Sequence, residues 1–337
     1  VVLNWTASVG ASSYVVKRYD SDCVTAVQTV GSGKITGTSV EDNGLNEGVK
    51  YCYSIQAFDD GGNYSPPVTD TGFRKLSAPQ SIAATKGTSE TDIAVSGYTH
   101  SKASQYKIYR ATYNGTSCDG SYSEIVLTPS TSYADSGASV GTMYCYKAQA
   151  VSTDTGVSDL SAAWDFGFRK ISAPANISAG DGSSTSLIHV TWDSVSGATG
   201  YKLYRSTDNY ASPVYTGASA SFDDSISLTA GKIVAYKVKA VVSTYTSNND
   251  SDMSTSSDTG FMQLSAPEGV TVVENVSSLS VSWTAVAGDV SSYDIYRAPE
   301  NSGGTEGTYE LLDPNLYAVV SLTSIDDNSA PWGEKFY

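Results

Sequence analysis

Four cysteines, two histidines and a few crowded acidic loops are the residues of this chain best placed to do chemistry. Cys23, Cys52, Cys118 and Cys145 admit three disulfide pairings. A four-thiolate metal site is the rival reading, but zinc ligands usually come in close pairs such as Cys-x-x-Cys, and these four are widely spaced. His100 and His189 lie near no Gly-x-Ser-x-Gly or His-Glu-x-x-His pattern, so neither has a nucleophile or metal partner in sequence. The expectation is a chain without catalytic residues, metal or cofactor. His189 alternates with Ile188 and Val190 and should face solvent, while His100 falls in a loop.

Asp59-Asp60-Gly61-Gly62-Asn63 and Asn248-Asn249-Asp250-Ser251-Asp252 crowd the oxygen ligands that calcium prefers. Turn chemistry accounts for both without an ion and is the preferred reading. Asn4, Asn63, Asn114, Asn176, Asn249 and Asn275 open glycosylation sequons, which permit surface glycans without arguing for them. Tyr98, Tyr113 and Tyr210 lie in or near loops, where they could stack on sugar rings, but with 24 tyrosines the plain structural reading prevails.

What positions these residues is a repeat. At 337 residues the chain exceeds one small antiparallel sandwich of about 100 residues and should hold two to four. Leu76-Ser77-Ala78-Pro79 returns as Ile171-Ser172-Ala173-Pro174 and Leu264-Ser265-Ala266-Pro267, at intervals of 95 and 93 residues. Each string follows a Gly-Phe pair, Gly72-Phe73, Gly167-Phe168 or Gly260-Phe261. Val1, Leu3, Trp5, then Ile188, Val190, Trp192, then Leu279, Val281, Trp283 fall two apart, the mark of a strand with one buried face. The second repeat departs, with Gly97 closing Ile93 and Val95, and the late Trp164 is expected to compensate.

A tyrosine-rich strand ending in arginine follows: Tyr106 to Arg110, Tyr201 to Arg205, Tyr293 to Arg297 and the variant Tyr14 to Arg18. Short strands around Val40, Tyr133, Phe222 and Ile325 lead to Asp42, Asp135, Asp224 and Asp327, read as turn-capping residues. Aromatic strands close the pattern at Tyr51-Cys52-Tyr53, Tyr144-Cys145-Tyr146 and Val234-Ala235-Tyr236.

These motifs, recurring in one order at one period over essentially the whole chain, resemble bacterial fibronectin type III domains. The resemblance implies an all-β fold, a tandem array of fibronectin type III-like antiparallel β-sandwiches. It also implies that Tyr51 and Tyr144 occupy the tyrosine-corner position, where a hydroxyl ties a loop to the backbone; Val234 and Phe336 cannot make that bond. The expected divisions are 1–75, 76–170, 171–263 and 264–337, with the opening strand missing from the first and the last cut short. The native protein is therefore expected to continue in both directions, and the two incomplete sandwiches to expose sheet edges and apolar residues.

The repeat also orders the cysteines. Cys23 and Cys118 follow the arginine strand, Cys52 and Cys145 share a place in the aromatic strand, and the last two repeats lack both. Joint presence or absence is what bonding within a repeat predicts, giving Cys23 with Cys52 and Cys118 with Cys145. Closing loops of 29 and 27 residues stabilises by about 3 to 4 kcal/mol each in the chain-entropy model. Such bonds suit an oxidising compartment, extracellular or at the cell surface.

Only two residues separate Phe73 from Leu76, Phe168 from Ile171 and Phe261 from Leu264, so adjacent sandwiches should be stiffly coupled into a rod, each adding roughly 30 Å. Twenty basic against 35 acidic residues, a net charge of -15, would repel nucleic acid. No stretch approaches the roughly 20 apolar residues that span a bilayer, so this segment should not insert. The leading expectation is a structural or adhesive rod, possible subunit of a surface filament or sheath, with other copies of itself, other surface proteins or polysaccharide as partners. The alternatives are spacers in a secreted polysaccharide-degrading enzyme, which the resemblance suggests, or a glycan-binding array.

Overall fold

The computed structural model describes residues 1–20, 23–243, 250–312, 323–331 and 333–337. The chain divides into two compact units, Val1–Ile171 and Ser172–Tyr337, each built from two pairs of antiparallel sheets.

In the first unit, Val2–Asn4 pairs with Ser39–Glu41, opposite a four-stranded sheet ordered Ala26–Ile35, Ser13–Tyr19, Lys50–Phe58, Val68–Phe73. Residues two apart on each strand point the same way. Val16, Val30, Tyr51 and Tyr53 on the larger sheet therefore meet Leu3, Trp5 and Val40 on the smaller, with Leu45 from the loop before Lys50. The second sheet pair repeats the plan. Ser132–Asp135, Ile93–Ser96 and Ala83–Ala84 face a sheet in which Ser123–Thr128, Gln105–Thr112 and Met143–Ser152 are followed by Asp165–Phe168. Its core joins Ile93, Val95 and Tyr98 to Tyr106, Ile108, Tyr146 and Ala148.

The second unit opens with Ser178–Ala179, Ile188–Thr191 and Ser221–Asp224 against Pro213–Gly217, Gly200–Arg205, Val234–Val241 and Asp258–Gly260. It continues with Glu268–Glu274, Leu279–Thr284 and Ser324–Asp327 against Tyr296–Arg297 and Glu310–Leu311. The tyrosine strand expected from Tyr293 is thus only two residues long here. In the other sandwiches it is flanked by a long aromatic strand; here Ala298 exchanges backbone bonds with Tyr337, N to O distances 3.1 and 2.9 Å, and the Glu300 N–H donates to the Lys335 carbonyl at 2.9 Å. Val270, Val272 and Val273 on Glu268–Glu274 are exposed.

One recurring aromatic pair sits at the centre of every sandwich. Trp5 meets Tyr14 edge-on with ring centroids 5.4 Å apart, Trp192 meets Tyr201 at 5.6 Å, and Trp283 meets Tyr293 at 5.3 Å. In the second sandwich the partner of Tyr106 is Tyr98, at 5.3 Å and 64°, fully buried. Trp164, expected to fill this place, is 43% exposed instead. The left-handed Gly97, φ +79°, turns the chain so that the next residue reaches the core one position late. Tyr98 is therefore no surface platform; burial pushes its phenol up to about 12. The tyrosine of each pair also ties down a loop, its hydroxyl accepting the backbone N–H of Ser8, His100, Val195 or Val286 at 2.7 to 2.9 Å.

Candidate functional site

Cys23 is bonded to Cys52 and Cys118 to Cys145, with Cα atoms 5.2 and 5.7 Å apart, joining the start of a connecting loop to the central aromatic strand. Asp59 does not stand open to an ion: its carboxylate accepts the Asn63 backbone N–H at 2.8 Å and the Asn63 amide at 2.9 Å, closing a hairpin turn. Those bonds, the Asn63 amide first, hold the Asp59 carboxyl below its usual range. In the other acidic run, Asn248 and Asn249, with its sequon, lie outside the described residues, and Asp250 pairs with Lys202 at 2.7 Å. Among the described residues no group of three or more His, Cys, Asp or Glu could hold a metal, and no helix is long and apolar enough to cross a membrane.

The histidines lie apart. His189 is exposed and meets Asp223 at 2.5 Å across neighbouring strands. Tyr113 stacks on Phe166 with centroids 5.1 Å apart, and Tyr210 lies under the Lys237 ammonium at 5.3 Å.

The four recurring aspartates are more than turn caps. Asp42, Asp135, Asp224 and Asp327 are all at most 4% exposed, and each carboxylate takes the arginine that ends the tyrosine strand: Arg18 at 3.0 Å, Arg110 at 2.8 Å, Arg205 at 3.1 Å and Arg297 at 2.7 Å. In three sandwiches a phenol joins them, Tyr53 at 3.1 Å, Tyr146 at 2.8 Å and Tyr236 at 2.8 Å. A buried carboxylate is tolerable only when so satisfied. Burial first, and then the adjacent aspartate, pushes all three phenols well above the usual tyrosine range. Capping is a second duty for two of them. Asp224 accepts the Ile226 N–H at 3.2 Å and Asp327 the Ser329 N–H at 2.9 Å. Burial raises the Asp327 carboxyl, but the Ser329 bonds and Arg297 outweigh it and hold it low.

The tyrosine-corner residues take part through their rings. Tyr51 and Tyr144 accept the N–H of Asn46 and Ser139, both at 3.3 Å, while Arg18 and Arg110 stack over their faces at 5.1 and 4.6 Å. Arg297 covers Phe336 in the same way at 4.8 Å. Sequence reading missed the clasp although its signal was present, since an arginine and an aspartate recur in every repeat at one phase.

The feature that bears on function is the joint between consecutive sandwiches inside each compact unit. In the first, Gly48 adopts φ +71° and its N–H donates to the Arg74 carbonyl at 3.1 Å. A Cβ on Gly48 would stand 2.9 Å from Leu76 Cδ2 and 3.3 Å from Lys102 Cβ, so the next sandwich presses directly on a bare Cα. Beside it, Glu47 reaches across. Its Oε1 pairs with Arg74 at 3.0 Å, and its Oε2 accepts the Ser77 N–H at 3.2 Å, the Ser77 hydroxyl at 3.0 Å and His100 Nε2 at 3.2 Å. The Ser77 N–H above all, with the Ser77 hydroxyl, His100 and Arg74, outweighs burial and holds the Glu47 carboxyl below its usual range. His100, expected only in a loop, is therefore a joint residue.

The second unit uses the same plan with fewer charges. Gly231, φ +79°, donates to the Met262 carbonyl at 2.9 Å, and Asp289 N–H donates to Ala230 at 2.7 Å. A Cβ on Gly231 would meet the Asp289 carbonyl at 2.9 Å and Leu264 Cδ2 at 3.2 Å. At these two junctions, Phe73 to Leu76 and Phe261 to Leu264, the two-residue spacing corresponds to direct contact.

No protein-family model matches the chain. It is 27% identical over 264 residues to Exoglucanase B of Cellulomonas fimi, covering 71% of this chain and 22% of that protein. It is 37% identical over 71 residues to Amylopullulanase of Thermoanaerobacterium saccharolyticum, covering 21% of this chain and 5% of that one. Among solved structures it resembles the FN1–FN3 domains of chicken CNTN1, at 14% identity, 78% and 94% coverage and a TM-score of 0.26. It likewise resembles a two-domain fibronectin type III segment of chicken tenascin, at 16% identity, 54% and 98% coverage and a TM-score of 0.41.

Proposed function

We propose that the chain is a non-catalytic, extracellular spacer that holds neighbouring modules of a polysaccharide-degrading protein at a set distance. The observation that carries this reading is the joint: a bare glycine packed against the next sandwich leaves no slack to swing on. Two disulfides suit an oxidising compartment. The relatives named exoglucanase and amylopullulanase, of which this chain spans only a minor share, favour spacing over self-assembly into a filament.

A spacer needs the chain to stay extended in solution, with a radius of gyration well above the about 20 Å of a compact globule of this length. Small-angle X-ray scattering of the whole chain decides, and a value near 20 Å removes the spacer. Turnover of a polysaccharide by the purified chain would remove the non-catalytic half. Uniform long filaments in electron micrographs would restore the self-assembling rod in its place.

A further inference from the structure

The chain contains two asparagine-glycine steps, Asn43-Gly44 and Asn114-Gly115, both exposed. A glycine after asparagine leaves its backbone nitrogen unshielded by a side chain, so that nitrogen can reach the amide carbon of the asparagine. The surroundings of the two steps differ. Asn114 Oδ1 accepts three donors, the Thr116 N–H at 3.0 Å, the Thr116 hydroxyl at 3.1 Å and the Ser117 N–H at 2.8 Å. Its Nδ2 donates to Ser117 Oγ at 3.2 Å. Asn43 makes one side-chain bond among the described residues, from Nδ2 to Glu41 Oε2 at 3.4 Å.

Donors that converge on one carbonyl oxygen act as an oxyanion hole. Attack on Asn114 Cγ drives negative charge onto Oδ1, where the Thr116 and Ser117 groups already stand. The attacking atom is the Gly115 nitrogen, whose N–H has no acceptor among the described residues, so no hydrogen bond has to break first. Gly115 sits at φ +95°, and a Cβ there would meet nothing within 4 Å, which leaves the step open to water. At Asn43 the same charge would develop without those donors and beside the Glu41 carboxylate, which repels it.

We propose that Asn114 modifies itself: the folded loop 113–118 promotes ring closure at Asn114-Gly115 and converts the asparagine to aspartate and isoaspartate without an enzyme. The Gly115 nitrogen bonds to Asn114 Cγ, the Cγ–Nδ2 bond breaks, and the Gly115 proton leaves with Nδ2 as ammonia. Water then opens the five-membered imide at one of its two carbonyls. Breaking the new Cγ–N bond gives aspartate. Breaking the original backbone C–N bond gives isoaspartate, in which the chain runs through the side-chain carbon and gains one atom. Either product adds a negative charge and removes the sequon that begins at Asn114. Isoaspartate also lengthens a loop fixed at both ends, at Tyr113 by its N–H to the Met143 carbonyl at 3.0 Å and at Cys118 by its bond to Cys145.

The test is peptide mapping by mass spectrometry of the whole chain aged at neutral pH, native in one arm and unfolded in urea with its disulfides reduced in the other. In the native chain Asn114 should convert at least about tenfold faster than Asn43, a small part of what such donors contribute in an enzyme interior. In the unfolded chain, where the donors are dispersed, the two should convert at similar rates. Thr116→Val removes the hydroxyl donor, keeps the N–H, and should slow Asn114 several-fold while leaving Asn43 unchanged. Equal rates at the two asparagines in the native chain overturn the proposal. Slower conversion of Asn114 in the native than in the unfolded chain overturns it as well, because the bonds would then lock the amide instead of activating it. An unchanged rate in Thr116→Val has the same force.

Discussion

The Tyr146 hydroxyl donates to the Asp135 carboxylate at 2.8 Å, and Arg110 reaches the same oxygen at 2.8 Å from a neighbouring strand, so one buried charge joins three strands of the second sandwich. Asp135→Ala would leave a guanidinium and a phenol without their acceptor. It should cost about 3 to 5 kcal/mol, against about 1 to 2 kcal/mol for Tyr146→Phe, both read from urea unfolding followed by near-ultraviolet circular dichroism. Equal losses would mean that the carboxylate is not the hub.

The phenols of Tyr53, Tyr146 and Tyr236 are held above the usual range by burial and by their aspartates. A group whose folded value is raised stabilises the fold fully below its unfolded value and loses that contribution as the pH rises through the folded one. Melting temperature should therefore be flat up to about pH 9 and fall above pH 10. A chain with all three replaced by Phe should start lower and fall less steeply over that alkaline interval.

Glu47 titrates in the opposite sense. Its folded value is depressed, so its contribution to the joint is present above the ordinary glutamate value and disappears as the pH drops through the folded one. Hydrogen exchange at the Ser77 amide, bonded to Glu47, should lose protection only once the pH falls below the ordinary glutamate value of about 4. The Gly48 amide, bonded to the Arg74 carbonyl, should keep it. Simultaneous loss at both sites would point to general unfolding.

Cys23 is exposed, whereas Cys118 and Cys145 are at most 2% exposed. Under mild reduction of the native chain, alkylation and mass spectrometry should find Cys23 and Cys52 labelled well before the other pair. Each lost bond should cost about 3 kcal/mol or somewhat more. The reverse order would show that access does not govern reduction here.

Tyr98→Ala removes a fully buried ring packed on Tyr106 and should cost about 3 to 5 kcal/mol. Trp164→Ala, at an exposed site, should stay within about 0.5 kcal/mol. Comparable thermal shifts in the two variants would return Trp164 to the core.

What could be read in advance followed from periodicity. Leu3, Val190 and Val281 fell two apart with their tryptophans, so the strands and their inward faces were visible, and the shared phase of Cys23 with Cys118 ordered the cysteines. What escaped depended on distance across the sandwich. Arg110 and Asp135 are 25 residues apart and meet only once the sheets are paired, and Glu47 meets His100 after 53 residues. The substitution of Tyr98 for tryptophan was hidden by one left-handed glycine, because a pattern that skips a residue breaks the alternation on which strand reading relies.

At Gly48 and Gly231 the contact surface is an absence, a Cα with no side chain on which the neighbouring leucine rests. Chemistry at such a place runs in one direction: every other amino acid adds atoms and forces a strained backbone, so no substitution can tighten the fit. The mechanical setting of each connection therefore stands at its upper limit, and drift at these two positions can only relax it.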